Sequence, residues 1–541
     1  MTVTDQHDCV IAKPGSTAGI TDEPNGTGDR AIDPAVHDLH DLKGKTARGA
    51  LISTFSQGVN FVLRIGSMVV LARILTPADF GLVGMVTACT GFLLLFRDAG
   101  LSMATVQRAS ISREQTSMLF WVNLVIGGVL AALCAAVAPI LTRFYHEPRL
   151  FWVTVVIGTG FVFNGAAAQH RATLQRDMRF ADLALIDVVS IVVSVALGIG
   201  MAMAGQGYWA LVGMAVCPNA VGLLGVWSVG GWMPVAPRRG TGVISMLKYG
   251  GTVTLINLLS YIACNTDKVL LGRFWGADAL GVYGRAYQLI NLPTDNLNST
   301  IGLVAFPALS RLQNDPERLR NYFLKGYDLF LSLVLPITMS CALFAEDIVR
   351  VFLGPKWDAT APLFRLLAPT IFSLALANPL NWLMLATGNA ARSLKIALAI
   401  TPCVILGYAA GLSYGPAGVA AGFSVALALW VVPVIFWATR GTPVSGIDTL
   451  KVLLRPLLSI LIAAGATLVA WNFLHSLAPV LLRLIVANAV LFGVYTSILL
   501  FVMGQKAVYV GLLREIGFWP FGRRRRVPGS DETAGKNTLR K

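Results

Sequence analysis

Residues 69–86 read VVLARILTPADFGLVGMV, and residues 269–286 read VLLGRFWGADALGVYGRA. At a shift of 200 residues Leu71 falls on Leu271, Arg73 on Arg273, Gly81 on Gly281 and Gly84 on Gly284. Polar positions upstream stay in register: Gln57 meets Asn257, Asn60 meets Ser260 and Ser67 meets Asp267. Both copies lie in long apolar segments. The chain therefore reads as an all-α polytopic membrane protein built from two related halves, a layout that suits alternation around a central site.

The composition agrees. Of 541 residues, 55% are hydrophobic and only 13% charged, against about a quarter charged in soluble domains. Such a chain buries its apolar surface in lipid. Fourteen apolar segments approach the ~20 residues that span a bilayer. They are continuous rather than alternating, which excludes a β-barrel. The seven cysteines (Cys9, Cys89, Cys134, Cys217, Cys264, Cys341, Cys403) are scattered singly. Neither a disulfide framework nor a metal site is expected.

The net charge of +15 is a topology signal. With the N-terminus cytoplasmic, most Lys and Arg fall on the cytoplasmic side, as the positive-inside rule requires. Lys43, Lys45 and Arg48, then Arg171, Arg176 and Arg179, then Arg311, Arg318, Arg320 and Lys325, and finally Arg523 to Arg526 carry that bias. A nucleic-acid partner is not expected; the lipid bilayer is. Residues 1–42 hold eight acidic and two basic residues among Gly, Asp and Thr, and read as a disordered tail without a signal peptide.

The repeat continues beyond the opening pair. Arg143 and Pro148 match Arg350 and Pro355, and Gly207–Gly213 resembles Pro416–Gly422. A six-helix unit thus occurs twice in the same orientation. The expected division is a disordered cytoplasmic tail over 1–47, an N-lobe over 48–230 and a cytoplasmic interlobe linker over 231–246. A C-lobe over 247–438, an appended helix pair over 439–505 and a basic cytoplasmic tail over 506–541 follow.

Chemistry is sparse. A GKT at Gly44–Thr46 lacks the upstream glycine of a phosphate-binding loop, because Leu39 stands there. No catalytic residue, metal or cofactor is expected, and no outside loop is long enough for a catalytic domain. Polar residues inside the spans say more, since a mid-bilayer charge costs at least ~2.5 kcal/mol and usually faces a polar cavity. Ser53, Gln57, Asn60, Arg64 and Ser67 share one helical face. Asn257, Ser260, Tyr261, Cys264, Asp267 and Lys268 share another. Either face lines a cavity or supplies interhelical hydrogen bonds. Arg97 and Asp98 lie deep in the second segment, either neutralising each other or presenting Arg97 to the cavity. In the eighth, Arg285 precedes the polar run 291–300, in which Pro293 opens the helix and Asp295 could titrate. Candidate binding residues are therefore Arg64, Arg97, Arg285, Gln57, Asn60, Asn257 and Lys268. Candidate ion-coupling residues are Asp98, Asp267 and Asp295. Converging arginines suit an anionic ligand such as a diphosphate, because guanidinium binds phosphate bidentately and keeps its charge.

The stretches LKGKTARGAL, VLARILTPADFGLVGM, FRDAGLSMATVQR and NTDKVLLGRFWGADALGVYGRAYQL resemble Wzx-type polysaccharide flippases. These form the polysaccharide branch of the multidrug/oligosaccharidyl-lipid/polysaccharide exporter superfamily. The resemblance covers roughly 42–505. It implies two six-helix lobes around a central cavity and transfer of an undecaprenyl-diphosphate-linked oligosaccharide across the bacterial inner membrane by alternating access. It further implies an exopolysaccharide or O-antigen pathway, ion or proton coupling, and polymerase and chain-length or export proteins as partners. Related lipid-precursor flippases place cavity arginines on the first, second and eighth helices, where Arg64, Arg97 and Arg285 stand. A drug/cation antiporter of the same superfamily and a peptidoglycan-precursor flippase are the rival readings.

Overall fold

The computed structural model describes residues 34–97, 102, 105–106, 111–236, 251–474 and 479–505. Among them there is no strand. The helices are α1 (Pro34–Ile74), α2 (Pro77–Thr90), α3 (Arg113–Tyr145), α4 (Leu150–Arg176), α5 (Phe180–Met203), α6 (Tyr208–Gly230) and α7 (Gly251–Arg311). They continue with α8 (Pro316–Leu343), α9 (Ala345–Phe352), α10 (Thr360–Ala386), α11 (Ala390–Gly411), α12 (Gly415–Thr439), α13 (Gly446–Leu474) and α14 (Val480–Ser497). Eleven stretches are long and apolar enough to cross a membrane. One of them, Ala390–Thr439, is the pair α11 and α12. Counting that pair as two gives twelve crossings among the described residues; neither arm of α7, kinked at Gly276, is among them, against the fourteen read from sequence. Residues such as Val125, Val129 and Ile140 stand exposed on α3, the surface a helix offers to lipid tails.

The repeated stretch forms the same turn twice by different chemistry. In the first copy, Thr76 caps α2. Its backbone N–H donates to Asp79 Oδ2 at 2.9 Å, and the Asp79 N–H donates to Thr76 Oγ1 at 3.4 Å. Pro77 at the first helical position costs nothing there, since that N–H has no intrahelical partner. In the second copy Gly276 occupies the position of Thr76. It breaks α7 at φ 81°, ψ −175°, a left-handed value that glycine adopts without steric cost.

Within the first half, α1 packs on α5, α3 on α4, α4 on α6 and α5 on α6. In the second half α10 packs on α7, α8 and α12, and α11 on α12. The halves meet chiefly through α2 and α7, and the repeat explains how. A Cβ on Gly81 would lie 1.7 Å from the Ala277 carbonyl oxygen; one on Gly281 would lie 1.8 Å from that of Pro77. Positions 77 and 277 are register mates, as are 81 and 281. The two copies thus clasp each other about a pseudo-two-fold axis, each glycine admitting the other copy's backbone. Lipid tails are as apolar as leucine, so such close approach, rather than water exclusion, holds membrane helices together.

α13 and α14 pack against each other and against α8 and α9. Arg483 on α14 and Asp347 on α9 form a buried pair, with Arg483 Nε 2.9 Å from Asp347 Oδ2. The Trp471 ring lies 5.1 Å from the guanidinium.

Two expectations differ in detail. α1 starts at Pro34, so helix reaches into the stretch read as a tail; residues 1–33 and 506–541 lie outside the described residues. The second span leaves regular α-helix at Thr90 and continues as a 3-10 turn over Gly91–Phe96. Tyr261 packs against this point. Its hydroxyl sits where a Cβ on Gly91 would be, only 2.2 Å away, and donates to the carbonyl of Thr87 at 2.8 Å.

Candidate substrate cavity

α1, α2, α4, α5, α6 and α7 enclose three hollows of about 620, 520 and 530 Å³, the first two between the halves and the third within the first half. They share walls. Lys268 and Gly284 line the first and second, Arg97, Asn164 and Asn219 the first and third, and Arg64 the second and third. We treat them as one branched cavity.

Its charge is one-sided. Arg97, Lys268 and Arg285 line the largest of the three, which has no carboxylate among the described residues of its wall. Arg64 adds a fourth cation where the other two hollows meet. Arg171 in the third is paired with Asp187, and Asp295 lies at the edge of the second. Among the described residues, the side chains of Arg64 and Arg97 have neither a hydrogen-bond nor an ion-pair partner. Asp98 lies outside the described residues.

The other two cations are held without being neutralised. The Arg285 guanidinium stacks over the Phe80 ring at 3.8 Å and hydrogen-bonds Gln288. Phe80 belongs to the first half and Arg285 to the second. Lys268 Nζ donates to Asn265 Oδ1 at 2.8 Å and stands 4.8 Å from the Tyr287 ring centre. An aromatic face attracts a cation without cancelling its charge. Both remain available to an anion.

The candidate residues divide accordingly. Arg64, Arg97, Arg285, Lys268, Asn60 and Asp295 line the cavity. Gln57 is exposed on α1 outside those walls, and the Asn257 side chain lies outside the described residues. Ser67 turns away from the cavity, buried, its hydroxyl donating to the Arg64 carbonyl at 2.9 Å. Asp267 faces the packed interior of the second half, fully buried, where the Tyr283 hydroxyl donates to it at 2.7 Å. Pro293 does not open α7: the Thr294 hydroxyl donates to the Ile290 carbonyl at 2.9 Å and the helix runs on. Tyr261, on the stripe read from sequence, lines the first hollow; Asn164, Asn219 and the place of Arg171 in the wall are additions from the structure.

The cavity is shut at one end, where α1 turns into α2. Here the halves exchange contacts. Arg73 donates to the Val351 carbonyl at 3.1 Å, and its register mate Arg273 reaches His146 Nδ1 at 3.1 Å. Trp357, fully buried, donates to the Ala72 carbonyl at 2.7 Å and sets its ring edge-on to Phe80 at 5.4 Å. Arg73 and Arg273 are therefore rim residues that tie the turn end shut.

Two helical bundles around a basic cavity define a polytopic membrane fold. The solved structure of lipid II flippase MurJ in an inward closed conformation superposes with a TM-score of 0.65 over 84% of this chain and 99% of that one, at 15% identity. The sequence supplies the family: residues 70–362, more than half of the chain, match the model described as polysaccharide biosynthesis protein, and the chain belongs to that family. Teichuronic acid biosynthesis protein TuaB of Bacillus subtilis is 27% identical over 63% of this chain and 71% of its own. Lipopolysaccharide biosynthesis protein WzxC of Escherichia coli is 25% identical over 71% of this chain and 78% of its own.

Proposed function

We propose that this chain is a flippase for an undecaprenyl-diphosphate-linked oligosaccharide repeat unit, carrying it across the bacterial inner membrane for exopolysaccharide or O-antigen synthesis. The observation that carries the reading is the convergence of Arg64, Arg97, Lys268 and Arg285 on one cavity between the halves, none of them neutralised by a described carboxylate. A diphosphate supplies the missing charge and enough oxygens to engage several of these donors at once.

The rest follows from the walls and the clasp. With the N-terminus in the cytoplasm, the clasped turn end is periplasmic and the cavity loads from the cytoplasmic side. The diphosphate enters the basic cavity while the lipid tail stays in the bilayer. Rocking of the halves then breaks the exchanged contacts of Arg73, Arg273 and Trp357 and releases the head group outward. On this reading Asp295, which lines the cavity, is better placed for ion coupling than Asp267, which does not. The excess of cations over carboxylates in these walls weighs against a drug-cation antiporter, whose ligand calls for an acidic wall.

The test is genetic and chemical. Deletion should leave undecaprenyl-linked repeat units accumulated on the cytoplasmic face, and Arg64→Ala should abolish polymer export while the protein stays in the membrane. A deletion strain that accumulates no such lipid rejects the flippase reading. Unimpaired export by Arg64→Ala removes that residue from the mechanism.

A further inference from the structure

A second polar site lies outside the cavity, where the chain leaves α14. There the helix widens into a π turn over Ile498–Val502, and the Met503 N–H donates to the Ile498 carbonyl at 2.9 Å. π turns of this kind gather at functional sites. Gly504, left-handed at φ 71°, then stops the helix, and the Gln505 N–H reaches back to the Leu499 carbonyl at 3.4 Å. Gln505 is thereby laid on α8. Its side chain is buried, and its Nε2 donates to Asp328 Oδ2, also buried, at 2.8 Å. The two remaining oxygens, Asp328 Oδ1 and Gln505 Oε1, are shut off from solvent without a hydrogen-bond partner. Neither residue lines a hollow of the cavity.

An ionised carboxylate only accepts hydrogen bonds, and so does an amide oxygen. With Asp328 ionised, both oxygens stay orphaned, and neither offers surface on which a water or a metal ion could settle. A proton on Oδ1 satisfies both at once. The Oδ1–H donates to Gln505 Oε1 while Gln505 Nε2–H donates to Oδ2, which closes a ring of two hydrogen bonds. Turning the amide over gives the same ring with the carboxyl oxygens exchanged. Ser332, one turn on, also has an unpartnered hydroxyl, but its donation to Asp328 would leave Gln505 Oε1 orphaned. No cation neutralises the carboxyl instead. Arg455 on α13 is the charged group whose field reaches it, yet Arg455 is exposed and makes no ion pair with it. The other charged groups on the neighbouring helices are engaged elsewhere or turned outward. Asp448 of α13 pairs with Arg320, Arg483 of α14 with Asp347, and Arg365 of α10 with Glu346. Lys451 of α13 is exposed, as are Asp295 and Arg311 toward the end of α7. Tyr495 of α14 gives its hydroxyl to the Ser332 carbonyl at 3.0 Å.

We propose that Asp328 is a proton-binding site separate from the cavity: it keeps its proton at neutral pH, closes a two-bond ring with Gln505 and so ties the end of the α14 segment to α8. Loss of that proton to water leaves a carboxylate oxygen against Gln505 Oε1, two acceptors with no donor between them, and unties the junction. The inference is independent of what the cavity carries.

Asp328→Asn is the matched variant, because its amide N–H donates where the acid O–H does. The purified chain in detergent should show, in the infrared at neutral pH, a protonated-carboxyl band that Asp328→Asn lacks. A group that takes up a proton on folding makes the fold less stable as pH rises. The melting temperature of the wild type should therefore fall relative to that of Asp328→Asn as pH is raised from about 5 to about 9, a range in which carboxyl groups in water are already ionised. Gln505→Leu keeps the test valid should Asp328→Asn fail to fold: it removes both partners of the acid and should move the band to higher wavenumber. No infrared difference between wild type and Asp328→Asn, or a constant gap between their melting temperatures across that range, overturns the proposal. So does a band that Gln505→Leu leaves unmoved.

Discussion

Gly81→Ala is the smallest change that strikes the clasp between the halves. The added methyl carbon would lie 1.7 Å from the Ala277 carbonyl oxygen, whereas a carbon and an oxygen rest at about 3.3 Å. The backbones of α2 and α7 must therefore part by about 1.6 Å locally, and neither can yield by a rotamer change. Overpacking of this kind costs about 1–3 kcal/mol. That cost falls only on the conformation in which the halves are clasped. In a conformation opened at the turn end the methyl group meets nothing, so the equilibrium shifts toward opening by about 5–150-fold. A cysteine at Thr87, which is exposed and lines the cavity behind the clasp, reports the shift. In a background with the native cysteines replaced, a membrane-impermeant thiol reagent added from the periplasmic side should label Thr87→Cys at least about fivefold faster when Gly81→Ala is also present. Gly281→Ala, with 1.8 Å to Pro77, should act alike, and the two together should do little more than either alone, because the first already parts the helices. Unchanged labelling together with unchanged melting would refute both the clasp and the geometry from which the effect was worked.

The other predictions concern how the turn end and the appended helices are held. Trp357→Phe leaves the Ala72 carbonyl without its 2.7 Å donor and should cost about 1–3 kcal/mol, read as a lower melting temperature and faster labelling of the same cysteine. Arg483→Met strands Asp347 in the interior and should cost about 3–5 kcal/mol, whereas the double change Asp347→Leu with Arg483→Met should recover most of it; equal loss in both shows that the pair is not a unit. In the loop before α10, the Arg350 guanidinium at 3.0 and 3.1 Å holds the Asp358 carboxyl below the usual carboxylate range. A depressed value means that this pair stabilises the fold above the ordinary carboxylate pKa and stops doing so as pH falls through the lowered one. Asp358→Asn should remove that acid-side component from the pH profile of melting, and an unaltered profile counts against it.

The sequence carried much of this architecture because its signals are local or repeated. Continuous apolar runs mark the spans, and a 200-residue register aligns Gly81 with Gly281 and Arg73 with Arg273. The site was less legible. Helical periodicity placed Asp267 and Lys268 on a shared stripe, but a stripe does not say which neighbour it meets. The structure sends Lys268 to the cavity and Asp267 to Tyr283. Asn164, Asn219 and the exchanged bonds of Arg73, Arg273 and Trp357 depend on residues far apart in the chain, and no local pattern announces them. Arg97 stood out as a charge in an apolar run; the contact of Tyr261, a residue of the other half, with the turn before it did not.

The central claim is that four cations in one cavity capture a lipid diphosphate and that the carrier moves it across the bilayer. The most direct measurement is movement of a fluorescent undecaprenyl-diphosphate-linked saccharide between leaflets of liposomes that contain the purified chain. The account predicts rapid movement with the wild type, and movement at the protein-free rate with Arg64→Ala or Arg285→Gln correctly folded in the same liposomes. Movement no faster with the wild type than without protein, or undiminished in both variants, would contradict it.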